Sequence, residues 1–526
     1  MDGHEQGAEA TDSDGIQPLP APRARTASGV VEGAILPSGV NVFFGVPYAA
    51  PPVGELRFAP PAPAESWDNT LRAREHGPAS LQPVDLMVTV VPETEPLFLP
   101  AGIPTSEDCL YLDVFSPSLE AELPVIVWIH GGGWATGTGA ASWTNGETFA
   151  ANENVVIVTI NYRLGLLGQL DVHASGDPEA TGLVNFGILD QIAALRWVQH
   201  NIRAFGGDPG RVAVMGESAG AFSAIQLLTA PDAQGLFHAA IAESGHAGLV
   251  CTPEQSRART ALVLQHLGIP AGTGALAALR ELPAETFIAT SDALGMRAIP
   301  PVSDGTVLAA DPLSAIRLGQ AKGMSLLVGS NRDEFRSFRQ LPVGDKDPEV
   351  SRDDVLELLR ASPDPQQAEA AYLADADSPL VDVLDEAGTD RDWRAPIRRL
   401  ARACAEGGVE CFVFEFVWPG VTLGGRLGSS HQGEIPFVFD TLDAPGVAAI
   451  VGDAAADPRG RAQARLVQGA FAAFARDGHP MLSDGLPWQP WSAHDESVAV
   501  LEGGRGVMVQ HHRAERLDVW EPQEES

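Results

Sequence analysis

Positive charge is scarce in this chain. Only two lysines, Lys322 and Lys346, occur among 526 residues, and lysine plus arginine total 34 against 69 aspartates and glutamates. The formal net charge of −35 excludes nucleic acid and anionic membrane surfaces as partners. It suits solubility in a salty medium, or the steering of cationic ligands.

Cysteine is scarce too. Cys109, Cys251, Cys404 and Cys411 are too few and too scattered for a disulfide framework or a zinc cluster, so buried free thiols are expected. No apolar run approaches the roughly 18 residues that span a bilayer. The opening MDGHEQGAEATDSDG has neither the basic region nor the apolar region of a secretory signal. Together these absences predict a cytoplasmic protein.

What is present reads as a large globular chain, 44 % hydrophobic with a mean hydropathy of +0.00. Residues 1–24 are acidic, proline-bearing and aperiodic, which predicts a disordered tail. From 25 to 526 no repeat or long linker divides the chain, and we read it as a single domain. VVEGAIL and NVFFGVPYA, split by Pro37-Ser38-Gly39, predict a hairpin. PVIVWI (124–129), VVIVTI (155–160), VAVM (212–215), SLLVG (325–329) and CFVFEFVW (411–418) have the look of strands buried on both faces. Residues 189–205 place Ile192, Leu195, Val198, Ile202 and Phe205 on one helical stripe, stopped by Gly206-Gly207. Strands alternating with helices predict a mostly parallel α/β sheet covered on both sides. Between about 252 and 400 the pattern turns helical, which predicts helical insertions over that sheet.

Four chemically suggestive segments each follow a strand, and ligands of parallel sheets bind at the strands' carboxyl ends. In Gly216-Glu217-Ser218-Ala219-Gly220 small neighbours permit a sharp strand-to-helix turn that exposes the Ser218 hydroxyl. The pattern alone arises by chance in a chain with 55 glycines; the strand before and helix after give it weight. His130-Gly131-Gly132-Gly133-Trp134 leaves backbone amides uncovered, so Gly132 and Gly133, with Ala219, can supply three donors to an oxyanion. A phosphate loop would need a following Gly-Lys-Ser/Thr, which is missing. In Ser330-Asn331-Arg332-Asp333-Glu334-Phe335 either Asp333 or Glu334 can orient an imidazole. Ser429-Ser430-His431-Gln432-Gly433-Glu434 offers that imidazole. The order serine, acid, histidine is that of the α/β-hydrolases.

GRVAVMGESAGAFS, SEDCLYLDVFSP (106–117), HGGGW, FFGVPYAAPPVGELRF, NYRLGLLG, GSNRDEF and HQGEIPFVF together resemble the type-B carboxylesterase family, the cholinesterase-like branch of that fold. The resemblance covers nearly the whole chain from about residue 25. It implies an α/β-hydrolase fold, an acyl-enzyme mechanism on small to medium neutral esters, and no metal or organic cofactor. It implies Ser218 as nucleophile, His431 as base, Glu334 as acid, and Gly132, Gly133 and Ala219 as the oxyanion hole. Glu217, Ser244 and Glu434 match positions of a buried polar network behind the histidine, and Trp134 is expected to line the pocket.

The chain departs from the family at several points. Phe335 replaces the glycine usual after the acid, and Asp113 replaces an asparagine. Ser80 stands where a half-cystine is expected, leaving Cys109 without its partner, as suits a reducing compartment. The loop from Leu81 to Thr105 has no tryptophan, so a choline-stacking surface is missing. The competing functions are carbamate or amide hydrolysis by the same groups, and a non-catalytic binding module, which would have lost the serine or histidine.

Overall fold

A computed structural model of the chain describes residues 21–346, 349–482 and 485–522. The first twenty residues of the expected tail lie outside the described residues. Regular structure begins before the expected boundary at 24, because Arg23–Arg25 pairs antiparallel with Val30–Glu32. These two strands join Leu71–Arg72 in a small three-stranded sheet.

Among the described residues the main sheet has eleven strands. In chain order they are β1 (Ala34–Ile35), β2 (Asn41–Pro47), β3 (Tyr111–Ser116), β4 (Leu123–Ile129), β5 (Val156–Ile160) and β6 (Gly207–Glu217), followed by β7 (Ala239–Glu243), β8 (Ser325–Asn331), β9 (Glu410–Val417), β10 (Val498–Glu502) and β11 (Arg505–Val509). Across the sheet the order is β11-β10-β9-β8-β7-β6-β4-β5-β3-β2-β1. The central run from β10 to β5 is parallel throughout, and both margins are antiparallel. The expected hairpin exists as β1–β2. VVEGAIL, however, breaks at Gly33: Val30–Glu32 belongs to the small sheet, and only Ala34–Ile35 pairs with β2.

Each central strand is apolar on both faces, because helices cover both. Val125, Val127 and Ile129 of β4 enter one core with Val156, Val158, Ile160, Val212 and Val214. The alternate residues Ile126, Trp128, Ile157, Ala213 and Met215 enter the opposite core. The first core is roofed by α1 (Phe186–Asn201) and α2 (Ala219–Leu227), whose buried apolar residues it contains except Phe186, which enters a separate cluster. The expected stripe of α1 is buried, although its last turn, Ile202–Phe205, tightens into a 3-10 helix before Gly206 ends it at φ 80°. The long helix Pro458–Asp477 covers the second face.

The helical segment divides into two insertions. Pro253–Leu267, Ala275–Glu281, Glu285–Ala293 and Pro312–Arg317 lie between β7 and β8. Glu334–Gln340, Arg352–Leu359, Pro365–Tyr372, Leu380–Thr389 and Ala395–Gly407 lie between β8 and β9. No helix among the described residues is long and apolar enough to cross a membrane.

Candidate active site

The sheet delivers four chain segments to one edge, each leaving the carboxyl end of a strand. Ser218 follows β6 and occupies a strained backbone conformation (φ 52°, ψ −121°) before α2 begins. Two backbone bonds fix it: its N–H donates to Glu243 O (2.9 Å), and its carbonyl accepts from Phe222 N (2.9 Å). Only glycine serves at position 220, since a β-carbon there would lie 1.9 Å from Ile129 O.

His431, in the loop after β9, meets the serine. Its Nε2 is 2.9 Å from Ser218 Oγ, and its Nδ1 is 2.6 Å from Glu334 Oε2. Glu334 is fully buried, and its other oxygen accepts from the Asn331 N–H (2.7 Å) and the Ser244 hydroxyl. Asp333 plays a different part. Its carboxylate accepts from Ser429 N (2.8 Å) and pairs with Arg332 (3.2 Å), bracing the loop that carries His431. Of the two carboxylates that the sequence left open, Glu334 is the one in contact with the imidazole.

Phe335 does not disturb the acid. The residue sits inside the helix Glu334–Gln340, outside the positive-φ region, so this turn has no need of a glycine. Its N–H donates to Thr389 Oγ1 (3.1 Å), and its ring lies over Gly388.

Behind the imidazole sits a cluster of buried carboxyls: Glu217, Glu243, Glu334 and Glu434. Glu217 and Glu243 are register partners on β6 and β7. Ser244 Oγ reaches Glu434 Oε1 at 3.4 Å, and Asn331 Nδ2 donates to Glu434 Oε2. Burial drives Glu217 and Glu243 well above the usual carboxylate range, and Glu434 up to about 7. Burial pulls His431 down, yet charges on Glu217 and Glu334 outweigh it and push the imidazole up to about 9. His431 Nε2 and Glu217 Oε1 are 3.2 Å apart, so these two shifts concern one proton.

The loop after β4 completes the site. Gly132 (φ 97°) and Gly133 (φ 63°) adopt left-handed conformations. Their N–H groups have no acceptor among the described residues. Both glycines line the same cavity as Ser218, Ala219 and His431. Trp134 lines it as well, but the ring is fully buried and its N–H is spent on Ser223 Oγ (3.0 Å).

The cavity holds about 680 Å³ and is mainly apolar. Its outer walls come from segments that sequence reasoning did not assign: Leu86, Met87, Leu249, Met296, Phe338 and Trp393. Asn331 was also missed, although it lies in the strand-end segment GSNRDEF. The unusual Asp113 has a partner in His76, whose Nδ1 is 2.6 Å from Asp113 Oδ2. Burial and the charge on Asp190 push the Cys109 thiol up to about 12, against a hydrogen bond from Ser80 that lowers it.

A hydroxyl, an imidazole and a carboxylate at these separations can pass the hydroxyl proton to one ring nitrogen while the carboxylate holds the other. Comparison with known proteins agrees with that chemistry. The model of the Carboxylesterase family matches residues 20–520. Para-nitrobenzyl esterase of Bacillus subtilis (strain 168) is 36% identical over 488 residues, covering 91% of this chain and 94% of its own. Phenmedipham hydrolase of Pseudarthrobacter oxydans is 35% identical over 506 residues, covering 93% and 96%. The solved Geobacillus stearothermophilus carboxylesterase EST55 superposes with a TM-score of 0.84 at 33% identity, over 95% of this chain and 100% of that one. By the family model and these relatives, the chain belongs to the carboxylesterase family and is a carboxylic ester hydrolase of α/β-hydrolase fold.

Proposed function

We propose that Ser218, His431 and Glu334 carry out this hydrolysis as nucleophile, base and orienting acid. The observation that carries the reading is the unbroken series from Ser218 Oγ through His431 to Glu334, with contacts of 2.9 and 2.6 Å. Ser218 Oγ attacks the ester carbonyl as His431 Nε2 takes its proton. The carbonyl oxygen, now an anion, is held by the N–H groups of Gly132, Gly133 and Ala219. His431 returns the proton to the departing alcohol oxygen, and the C–O bond breaks to leave an acyl-serine. Water then repeats the sequence and releases the acid.

The mainly apolar cavity supports a small to medium neutral ester as substrate. We read residues 25–526 as one catalytic domain, the two helical insertions forming the walls of its pocket. Four buried free cysteines support a reducing, cytoplasmic setting.

Carbamate hydrolysis is a second reading, favoured by the likeness to phenmedipham hydrolase, whose named substrate is a carbamate. Turnover of nitrophenyl esters of increasing acyl length, beside a nitrophenyl carbamate, tests both. Continuous ester turnover with a single slow carbamate event supports the ester reading, and continuous carbamate turnover supports the second. Failure on every ester overturns the first.

A further inference from the structure

The glycine-rich loop that carries the oxyanion donors is poorly suited to hold itself. Gly132, Gly133 and Trp134 in succession have positive φ, and glycine gives up the most conformational freedom when it is fixed. Within the loop, Gly132 O accepts from Ala135 N and Thr136 N (both 3.0 Å); from outside it, Ile299 N donates to Gly133 O (3.0 Å) and Gly165 N to Trp134 O (2.7 Å).

Thr136 and Gly137, which follow the turn, are tied by one short segment outside the loop. The Gln82 amide meets Gly137 twice, accepting from its N–H at 2.7 Å and donating to its carbonyl at 2.9 Å. Asp85 Oδ2 accepts from the Thr136 hydroxyl at 2.8 Å, and Asp85 Oδ1 accepts from Met87 N at 2.8 Å. Thr136 lies directly against Gly132, whose added β-carbon would meet Thr136 O at 2.3 Å. Gln82 is itself steadied by donation to Ser80 O (3.0 Å).

We propose that Gln82 and Asp85 are positioning residues for ester hydrolysis, forming a two-point latch that holds the Gly132–Gly133 turn in register with Ser218. The proposal rests on the reading of that turn as the oxyanion hole. The latch segment also faces substrate: Pro83, Val84, Asp85, Leu86 and Met87 line the cavity. A substrate group pressed against this wall therefore bears on the same backbone that sets the oxyanion donors. Contact energy gained away from the scissile bond is spent on aligning the turn.

The test uses the full-length enzyme with Gln82→Ala, Asp85→Ala, Thr136→Val and Thr136→Ser. Each is measured for nitrophenyl ester kinetics and for binding of an aryl trifluoromethyl ketone, which forms a serine hemiketal oxyanion. The parent aryl alcohol, which cannot form one, serves as the reference ligand. Cutting either tether lowers kcat and ketone affinity together by about 10-fold, because small misplacement of preorganised donors is costly. KM and alcohol affinity stay within about twofold. Thr136→Ser retains the tether and the activity. Asp85→Ala combined with Thr136→Val is no worse than Asp85→Ala alone, since both break the same Thr136–Asp85 bond.

Equal loss for ketone and alcohol, or undiminished ketone affinity, overturns the latch. Asp85→Ala also removes a helix cap, so Thr136→Val, which breaks the same bond from the loop side, decides if that variant misfolds. Failure of the oxyanion reading itself shows separately, as a wild-type enzyme that binds the ketone no tighter than the alcohol.

Discussion

The ring of Phe335 lies so closely over Gly388 that a β-carbon on Gly388 would sit 2.4 Å from it. Gly388 belongs to the helix Leu380–Thr389, where alanine is ordinarily favoured over glycine by about 1 kcal/mol. Here the contact reverses that preference. The large residue beside the acid is accommodated by the absence of a side chain opposite it, and Glu334 keeps its bond to His431.

Gly388→Ala is therefore expected to destabilise the protein by about 1–3 kcal/mol through overpacking. In a Phe335→Ala background the same substitution should be close to neutral. Thermal unfolding of the four proteins in a double-mutant cycle measures the coupling. Additive effects would show that the ring and the glycine do not constrain each other.

The two adjacent carboxylates are expected to separate cleanly in kinetics. Glu334→Gln should lower kcat by about 10³–10⁴, as loss of the carboxylate that orients a catalytic imidazole does. Asp333→Asn keeps an acceptor for Ser429 N and should cost less than about 10-fold. Steady-state hydrolysis of a nitrophenyl ester reads both, and the opposite ranking would reassign the acid.

Much of this site was legible because its parts are local. The strand runs ending at Ile129, Glu217 and Asn331 are β-branched or otherwise apolar, and the Gly131–Gly133 and Gly216–Gly220 turns carry their chemistry in consecutive residues. β7 was not legible, since Ala239, Ala240 and Ala242 are weak strand formers. Its place in the sheet comes from packing against α2, which includes Ala221 and Ala224 in the same core. The pocket walls were hidden for another reason. Phe338, Trp393 and Leu249 come together only through the folding of two separate insertions, and no periodicity marks which side chains face inward. The hairpin of β10 and β11 was missed, and the break at Gly33 depends on the approach of Val42 O, where a β-carbon would lie at 2.0 Å.

Activity should fall on the acid side as His431 takes up a proton, because only the neutral ring accepts one from Ser218. Glu334→Gln removes a charge that raises the imidazole, so the acid limb of kcat/KM should move to lower pH even as the plateau drops. Glu217→Gln should move the limb to lower pH as well, because the charge on Glu217 is the first of those that raise the imidazole. A limb that stays in place in Glu217→Gln would show that Glu217 is neutral in the resting enzyme and does not raise the ring.

Glu243 is fully buried, and neither carboxyl oxygen has a hydrogen-bond partner among the described residues. Its carboxyl is raised well above 4.5 by burial and then by Glu434 and Glu217. A carboxyl raised on folding contributes its full stability below the unfolded value, and that contribution is lost as pH rises toward the folded one. Glu243→Gln should thus leave stability nearly unchanged near pH 4.5 and raise it at pH 8. The gain is about 1.4 kcal/mol for every tenfold by which folding tightens the hold of Glu243 on its proton. Denaturant unfolding at the two pH values measures the difference, and equal effects at both would contradict a raised carboxyl.

Covalent labelling tests the central assignment most directly. A fluorophosphonate incubated with active enzyme should modify one peptide, the one containing Ser218, with loss of hydrolysis in proportion to labelling. Ser218→Ala should take up no label and hydrolyse no ester. Stoichiometric label on another residue, or ester hydrolysis that survives in Ser218→Ala, would contradict the account.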